Sequence, residues 1–171
     1  MRLLDFFPSR RAAYACGAAF CLVLLAYAFY LQYVEGMEPC PMCWFQRAAF
    51  LALAVVLALA AVANPGERGA RMVAWLVAVV AGSGVALAAR HLWIQSLPSD
   101  QLPSCGMGIT YMLETLPFID VFARAFAGSV ECNKIDRVLG LPLPAWNLIL
   151  FALAIVAGFL LIDHRGRRTN R

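Results

Sequence analysis

Residues 12–34, AAYACGAAFCLVLLAYAFYLQYV, contain no charged side chain, and their length decides what kind of protein this is. At 1.5 Å per residue, such a helix spans about 34 Å, enough to cross roughly 30 Å of hydrocarbon. Three further stretches, 48–66, 72–89 and 138–162, are equally free of Asp, Glu, Lys and Arg. In the last of them Pro142 and Pro144 suit a helix entrance better than an interior, which places that helix from Ala145. Backbone polar groups cannot be left unpaired in lipid, so each run reads as a helix. The expectation is an all-α membrane protein, a four-transmembrane-helix bundle forming a single domain over residues 1–171. The helices are placed at about 12–33, 44–63, 72–93 and 145–162, with loops at about 34–43 and 94–144.

Composition agrees. Of 171 residues, 63% are hydrophobic and 14% charged, with a mean hydropathy of +0.74, whereas soluble domains are about a quarter charged. This excludes a water-soluble globule, a disordered chain and a nucleic-acid binder; the expected surroundings are a lipid bilayer.

Lys and Arg set the orientation. Arg2, Arg10 and Arg11 precede the first helix, Arg68 and Arg71 lie in the middle turn, and Arg165, Arg167, Arg168 and Arg171 follow the last helix. These are nine of the 14 basic residues. The segment 35–43 has Glu35 and Glu38 and no base, and 94–144 has Arg124, Lys134 and Arg137 against five acids. The positive-inside rule then puts both termini in the cytoplasm and both cysteine-bearing loops outside. The first helix, too long for a typical signal-peptide core, reads as a retained signal anchor. Trp44, Trp93, Trp146, Tyr30 and Tyr33 fall at outer helix ends, as an interfacial belt requires. Within the long loop, Pro117, Phe118, Val121, Phe122, Ala125 and Phe126 recur at helical spacing, and Asp120 and Arg124 form an i, i+4 pair on another face. They predict a short surface helix lying on the membrane or against the outer ends of the bundle.

Six cysteines divide by location. Cys16 and Cys21 lie inside the first helix and read as small apolar residues. Cys40 and Cys43 form a Cys-x-x-Cys sequence opening the second helix, and Cys105 and Cys132 lie in the long loop. Four outward cysteines in an oxidising compartment suggest two disulfides with three possible pairings; sequence distance favours Cys40–Cys43 and Cys105–Cys132. A Cys-x-x-Cys ring restrains the unfolded chain little, so reversible exchange is its more natural use. The helix dipole and Arg47, one turn further on, both favour a thiolate at Cys43. No metal site is expected, because a structural zinc site usually draws on two such cysteine pairs and only one is present.

The second helix begins outside and the third ends there, so His91 and Gln95, i and i+4, can approach Cys43 and Arg47 across the bundle. A thiolate, a cation, an imidazole and an amide half in lipid suit a quinone, whose carbonyls take hydrogen bonds from Arg47, His91 or Gln95 while Cys43 delivers electrons.

The segments Glu38-Pro39-Cys40-Pro41-Met42-Cys43 with Gln46-Arg47, His91-Leu92-Trp93-Ile94-Gln95, and Leu139-Gly140-Leu141-Pro142-Leu143-Pro144-Ala145-Trp146 resemble the disulfide bond formation protein B family. The resemblance implies a quinone-dependent enzyme of the bacterial inner membrane, with its site facing the periplasm. It implies reoxidation of a DsbA-type thioredoxin-fold partner, with ubiquinone, or alternatively menaquinone, drawn from the membrane pool as acceptor. It further implies that Cys105, paired with Cys132, takes the partner's attack, that Cys132 exchanges with Cys40, and that Cys43, helped by Arg47, faces the quinone. Three rival readings are a vitamin K epoxide reductase-like protein, whose redox pair sits before a late helix, a membrane protein whose disulfides merely brace its loops, and, more distantly, a metal-handling protein whose bound metal would depend on Cys40 and Cys43.

Overall fold

A computed structural model describes residues 9–102 and 108–169, the side chains of 163–169 excepted. Cys105, with Arg2 and Arg171, lies outside the described residues. In chain order the helices are α1 (Arg10–Tyr33), α2 (Pro41–Ala63), α3 (Glu67–Ser96), α4 (Ile109–Thr115), α5 (Phe118–Ala127) and α6 (Leu143–Thr169). Four of them, α1, α2, α3 and α6 over Leu143–Ile162, are long and apolar enough to cross a membrane.

The helices run past the charge-free stretches. α2 starts at Pro41 rather than residue 44, because proline at the first helical position gives up an N–H that has no partner there anyway. α3 starts at Glu67 rather than 72 and ends at Ser96; a charge ends a hydrophobic run without ending a helix, and an acid in the first turn favours the dipole. α2 stops where Asn64 adopts a left-handed conformation, φ 41°, directly before Pro65. The long loop holds more than the single expected helix: α4, α5, short 3-10 turns at Ser99–Gln101 and Val130–Asn133, and a hairpin of β1 (Arg137–Val138) and β2 (Leu141–Pro142). The hairpin turns on Leu139 and Gly140, at φ 52° and 84°, the positive pair that a tight two-residue turn needs.

α1 packs on α2, α2 on α3 and α3 on α6. Cys21 and Leu25 meet Phe50 and Leu53 in the core, where Cys21 behaves as the expected apolar residue, while Cys16 faces out of the bundle. Small residues on α3, Ala81, Gly84 and Ala88, admit α6 closely. Phe151 of α6 fills the space over Gly84 and stacks on Phe50, ring centroids 4.1 Å apart. Outward, Leu59, Val62, Trp75 and Val79 are each more than 60% exposed. Apolar cover of that extent suits hydrocarbon rather than water. α5 lies across the end of the bundle that bears Cys40, its Phe118 and Phe122 rings edge-on to Phe45 of α2.

Candidate functional site: a buried thiol cluster

The site starts from the first turn of α2. Cys40 is the N-cap in an extended conformation, and the Cys43 N–H donates to its carbonyl at 3.0 Å. That turn brings the two Sγ atoms to 3.1 Å, close enough for side-chain rotation to join them. Cys132 arrives from the turn Val130–Asn133 and is 1% exposed. Its Sγ, the Cys40 Sγ and His91 Nε2 all lie within 4.8 Å of one another.

The last turns of α3 hold the loop that carries Cys132. Arg90 donates to the Phe126 and Ala127 carbonyls, both at 3.2 Å, fixing the end of α5. His91 Nε2 stands 3.0 Å from the Cys132 carbonyl oxygen and 3.8 Å from the Cys40 sulfur. Gln95 donates to the Lys134 carbonyl at 2.9 Å. Asn133 returns the contact, donating to the Ile94 and Leu97 carbonyls at 2.8 and 2.9 Å, the first of which also accepts the Leu97 N–H that closes the helix. Gly128, at φ 88°, lets the chain turn against Ile94; a Cβ there would lie 2.4 Å from the Ile94 side chain.

His91 and Gln46 are both nearly fully buried, so their polar atoms must find partners inside the protein. Gln46 Nε2 meets His91 Nδ1 at 3.2 Å, and Asn147 of α6 donates to Gln46 Oε1. As a donor to Nδ1, Gln46 leaves the imidazole proton on Nε2, facing the Cys132 carbonyl and the Cys40 sulfur. Three helices thus fix one ring.

A hydrogen bond to Cys40, and then burial, hold the Cys132 thiol far above the usual thiol range. Each favours the protonated form; the Ser129 backbone and His91 oppose them more weakly. An acid raised in the folded state is protonated in both states below the ordinary thiol value of 9.0, and above it the unfolded chain ionises first. In the reduced protein, iodoacetamide should therefore modify Cys132 slowly at pH 9 while a denatured control reacts fully, and stability should fall as pH rises above 9.0. Equal reaction rates in native and denatured protein would contradict this.

The sequence model described as disulfide bond formation protein DsbB matches residues 10–161. The chain belongs to this family. Disulfide bond formation protein B of Marinobacter nauticus is 44% identical over 146 residues, 85% of this chain and 87% of the relative. That of Chromohalobacter salexigens is 45% identical over 142 residues, 82% and 83% of the two chains. That of Xanthomonas campestris is 41% identical over 161 residues, 92% and 94% of the two. The chain is accordingly a multi-pass membrane protein of disulfide bond formation, with an oxidoreductase role.

In this DsbB-family chain a cavity of about 360 Å³ lies beside the thiols, between α1 and α6. Cys40, Cys43, Arg47, His91 and Gln95 all line it, with Ala28 from α1 and Trp146 from α6 among the remaining wall. Arg47 is turned toward α1: its guanidinium donates to Gln32 Oε1 and to the Ala28 carbonyl at 3.0 Å, between the Phe29 and Trp44 rings at 5.1 and 5.2 Å. Gln95 Oε1 is buried and has no hydrogen-bond donor among the described residues.

Sequence reasoning gave no role to Gln32, Gln46, Arg90, Asn133 or Asn147. One signal was available: Gln32 and Asn147 are the single amides in their uncharged stretches, and a lone polar group within a span marks a site.

Proposed function

We propose that this protein reoxidises a periplasmic DsbA-type dithiol protein and passes the two electrons to a quinone of the bacterial inner membrane. The supporting observation is the approach of Cys132 to Cys40 beside Cys43 and the cavity, which gives electrons from the long loop a path into α2. This is the known route by which bacterial periplasms are kept oxidising.

The electron balance closes. A partner thiolate attacks Cys105 Sγ, breaking a Cys105–Cys132 bond, forming the mixed disulfide and releasing Cys132. Cys132 attacks Cys40 Sγ of the Cys40–Cys43 disulfide, and Cys43 departs as a thiolate at the cavity wall. The partner's second thiol resolves the mixed disulfide and leaves oxidised, having delivered two electrons. Cys132 and Cys105 rejoin as Cys40 is released, and the reduced Cys40–Cys43 pair carries the electrons. A membrane quinone, ubiquinone or menaquinone, supplies when bound the two-electron, two-proton sink that restores that pair. A DsbA-type partner at about −120 mV is itself a strong oxidant, so only a still more oxidising acceptor can recharge it.

The lining fits a quinone. Arg47 can donate to a ring oxygen, and the unpartnered Gln95 Oε1 can accept the O–H of the reduced ring. His91, engaged with Cys132 and Gln46, serves the sulfurs more directly than the ring.

The reading is tested by supplying the full-length protein, in detergent, with reduced DsbA-type partner and either quinone. One quinol formed per partner dithiol lost is expected; folded protein that yields no quinol with either acceptor would overturn it. In the same assay, Arg47→Met should raise the quinone KM by roughly 10- to 100-fold, the worth of a charged hydrogen bond. An unchanged KM would remove Arg47 from the binding site.

A further inference from the structure

We propose that the reduced protein binds one thiophilic divalent cation, of the Zn²⁺ class, through Cys40 Sγ, Cys132 Sγ and His91 Nε2. The inference goes beyond the oxidase reading and does not depend on it. Counting Cys-x-x-Cys units argued against a metal, but the fold draws ligands from three separate segments: the start of α2, the end of α3 and the turn Val130–Asn133. Their donor atoms lie within 4.8 Å of one another, and all three residues are buried. Tetrahedral zinc, with bonds of about 2.3 Å to sulfur and 2.0 Å to nitrogen, sets neighbouring donors roughly 3.5–3.8 Å apart. The Cys40–His91 separation is already 3.8 Å, so a small contraction of the cluster completes three ligand positions. The cavity that Cys40 and His91 line gives water access to the fourth.

The shell behind the histidine is also in place. A ligating imidazole nearly always donates its other N–H to an acceptor that fixes its orientation. Gln46 stands at His91 Nδ1 and Asn147 stands at Gln46. Turning both side-chain amides over reverses the donors with the heavy atoms in the same places. Gln46 Oε1 then accepts Nδ1–H, Gln46 Nε2 donates to Asn147, and Nε2 of the ring gives up the Cys132 carbonyl for the metal. Binding releases the two thiol protons and involves no electron transfer. It occupies both sulfurs that exchange during turnover, so the loaded protein is held reduced until a chelator frees it.

The test uses full-length untagged protein in detergent, reduced, freed of reductant under nitrogen and titrated with Co²⁺, then Zn²⁺, with no quinone or partner present. One Co²⁺ per chain is expected, with sulfur-to-cobalt charge-transfer absorption and the intense visible bands of a tetrahedral site, displaced by one equivalent of Zn²⁺. Oxidised protein should take up none. Cys132→Ser should weaken binding at least tenfold, and Gln46→Glu, which sets a carboxylate behind the imidazole, should strengthen it about tenfold. Cys43→Ser, which on the oxidase reading stops electron transfer, should keep the cobalt spectrum. No charge-transfer band at one equivalent, or an equal band in Cys132→Ser, would overturn the proposal. Protein that binds Co²⁺ yet never reduces quinone would overturn only the oxidase reading.

Discussion

Replacing Cys40 by serine should lower dithiol-dependent quinone reduction by at least about 10³-fold while the four-helix bundle stays folded. Cys40 has two sulfur neighbours, Cys43 at 3.1 Å and Cys132 within 4.8 Å, so in the proposed relay it is the junction through which electrons would leave the loop. A serine oxygen cannot enter a disulfide, so in the proposed relay Cys132 loses the sulfur it would attack and Cys43 the sulfur it would pair with. The loss expected is that of an essential covalent step rather than of a single contact. Serine is nearly the same size, and its hydroxyl can remain near His91 Nε2, which stands 3.8 Å from the present sulfur. Turnover should therefore collapse with little change in circular dichroism or melting temperature. If the disulfides only brace the loops, the same substitution would cost stability and leave any electron flow to quinone untouched.

A second large effect is expected far from the thiols. Gly84→Ala should destabilise the bundle by about 2–3 kcal/mol, the upper part of the usual range for overpacking a tight core. The added Cβ would sit 2.6 Å from three carbons of the Phe151 ring. That ring is fully buried and stacks on Phe50, so it cannot swing aside without parting α2 from α6. Lipid offers no hydrophobic drive to hold helices together, which leaves close packing over small residues as the main attraction. The check is the melting temperature in detergent, and Phe151→Leu added to Gly84→Ala should recover part of the loss, since the two positions touch. An unchanged melting temperature for the single variant would mean that α6 is held elsewhere.

The spans were legible because a charge in hydrocarbon is costly, so its absence over some 20 residues is a strong signal. Helix ends were less legible. Glu67 stops a hydrophobic run while starting a helix, and Pro41 begins α2 three residues before the placement made from hydropathy. In the long loop α5 could be read from its apolar period, but α4 has only seven residues, too few to display one. The hairpin lacked its usual mark, since Leu139 stands where Asn or Asp ordinarily supplies the positive φ.

The site divides in the same way. Cys40 and Cys43 announce themselves within four residues, and His91 with Gln95 can be placed at the same depth from helix direction alone. The meeting of Gln46, His91 and Asn147 depends on how three helices rotate against one another, which one chain's sequence does not state. The approach of Cys132 likewise depends on Asn133 and Arg90 tying the loop to α3, through side chain to backbone bonds that leave no periodic trace.

The central claim is that Cys132 passes electrons to Cys40, and it can be tested by removing the competing partners of both. In protein carrying Cys43→Ser and Cys105→Ser, mild oxidation followed by non-reducing peptide mapping should find a Cys40–Cys132 disulfide as the main product, formed without loss of the folded bundle. Recovery of Cys40 and Cys132 as separate unpaired thiols from folded protein would contradict the account.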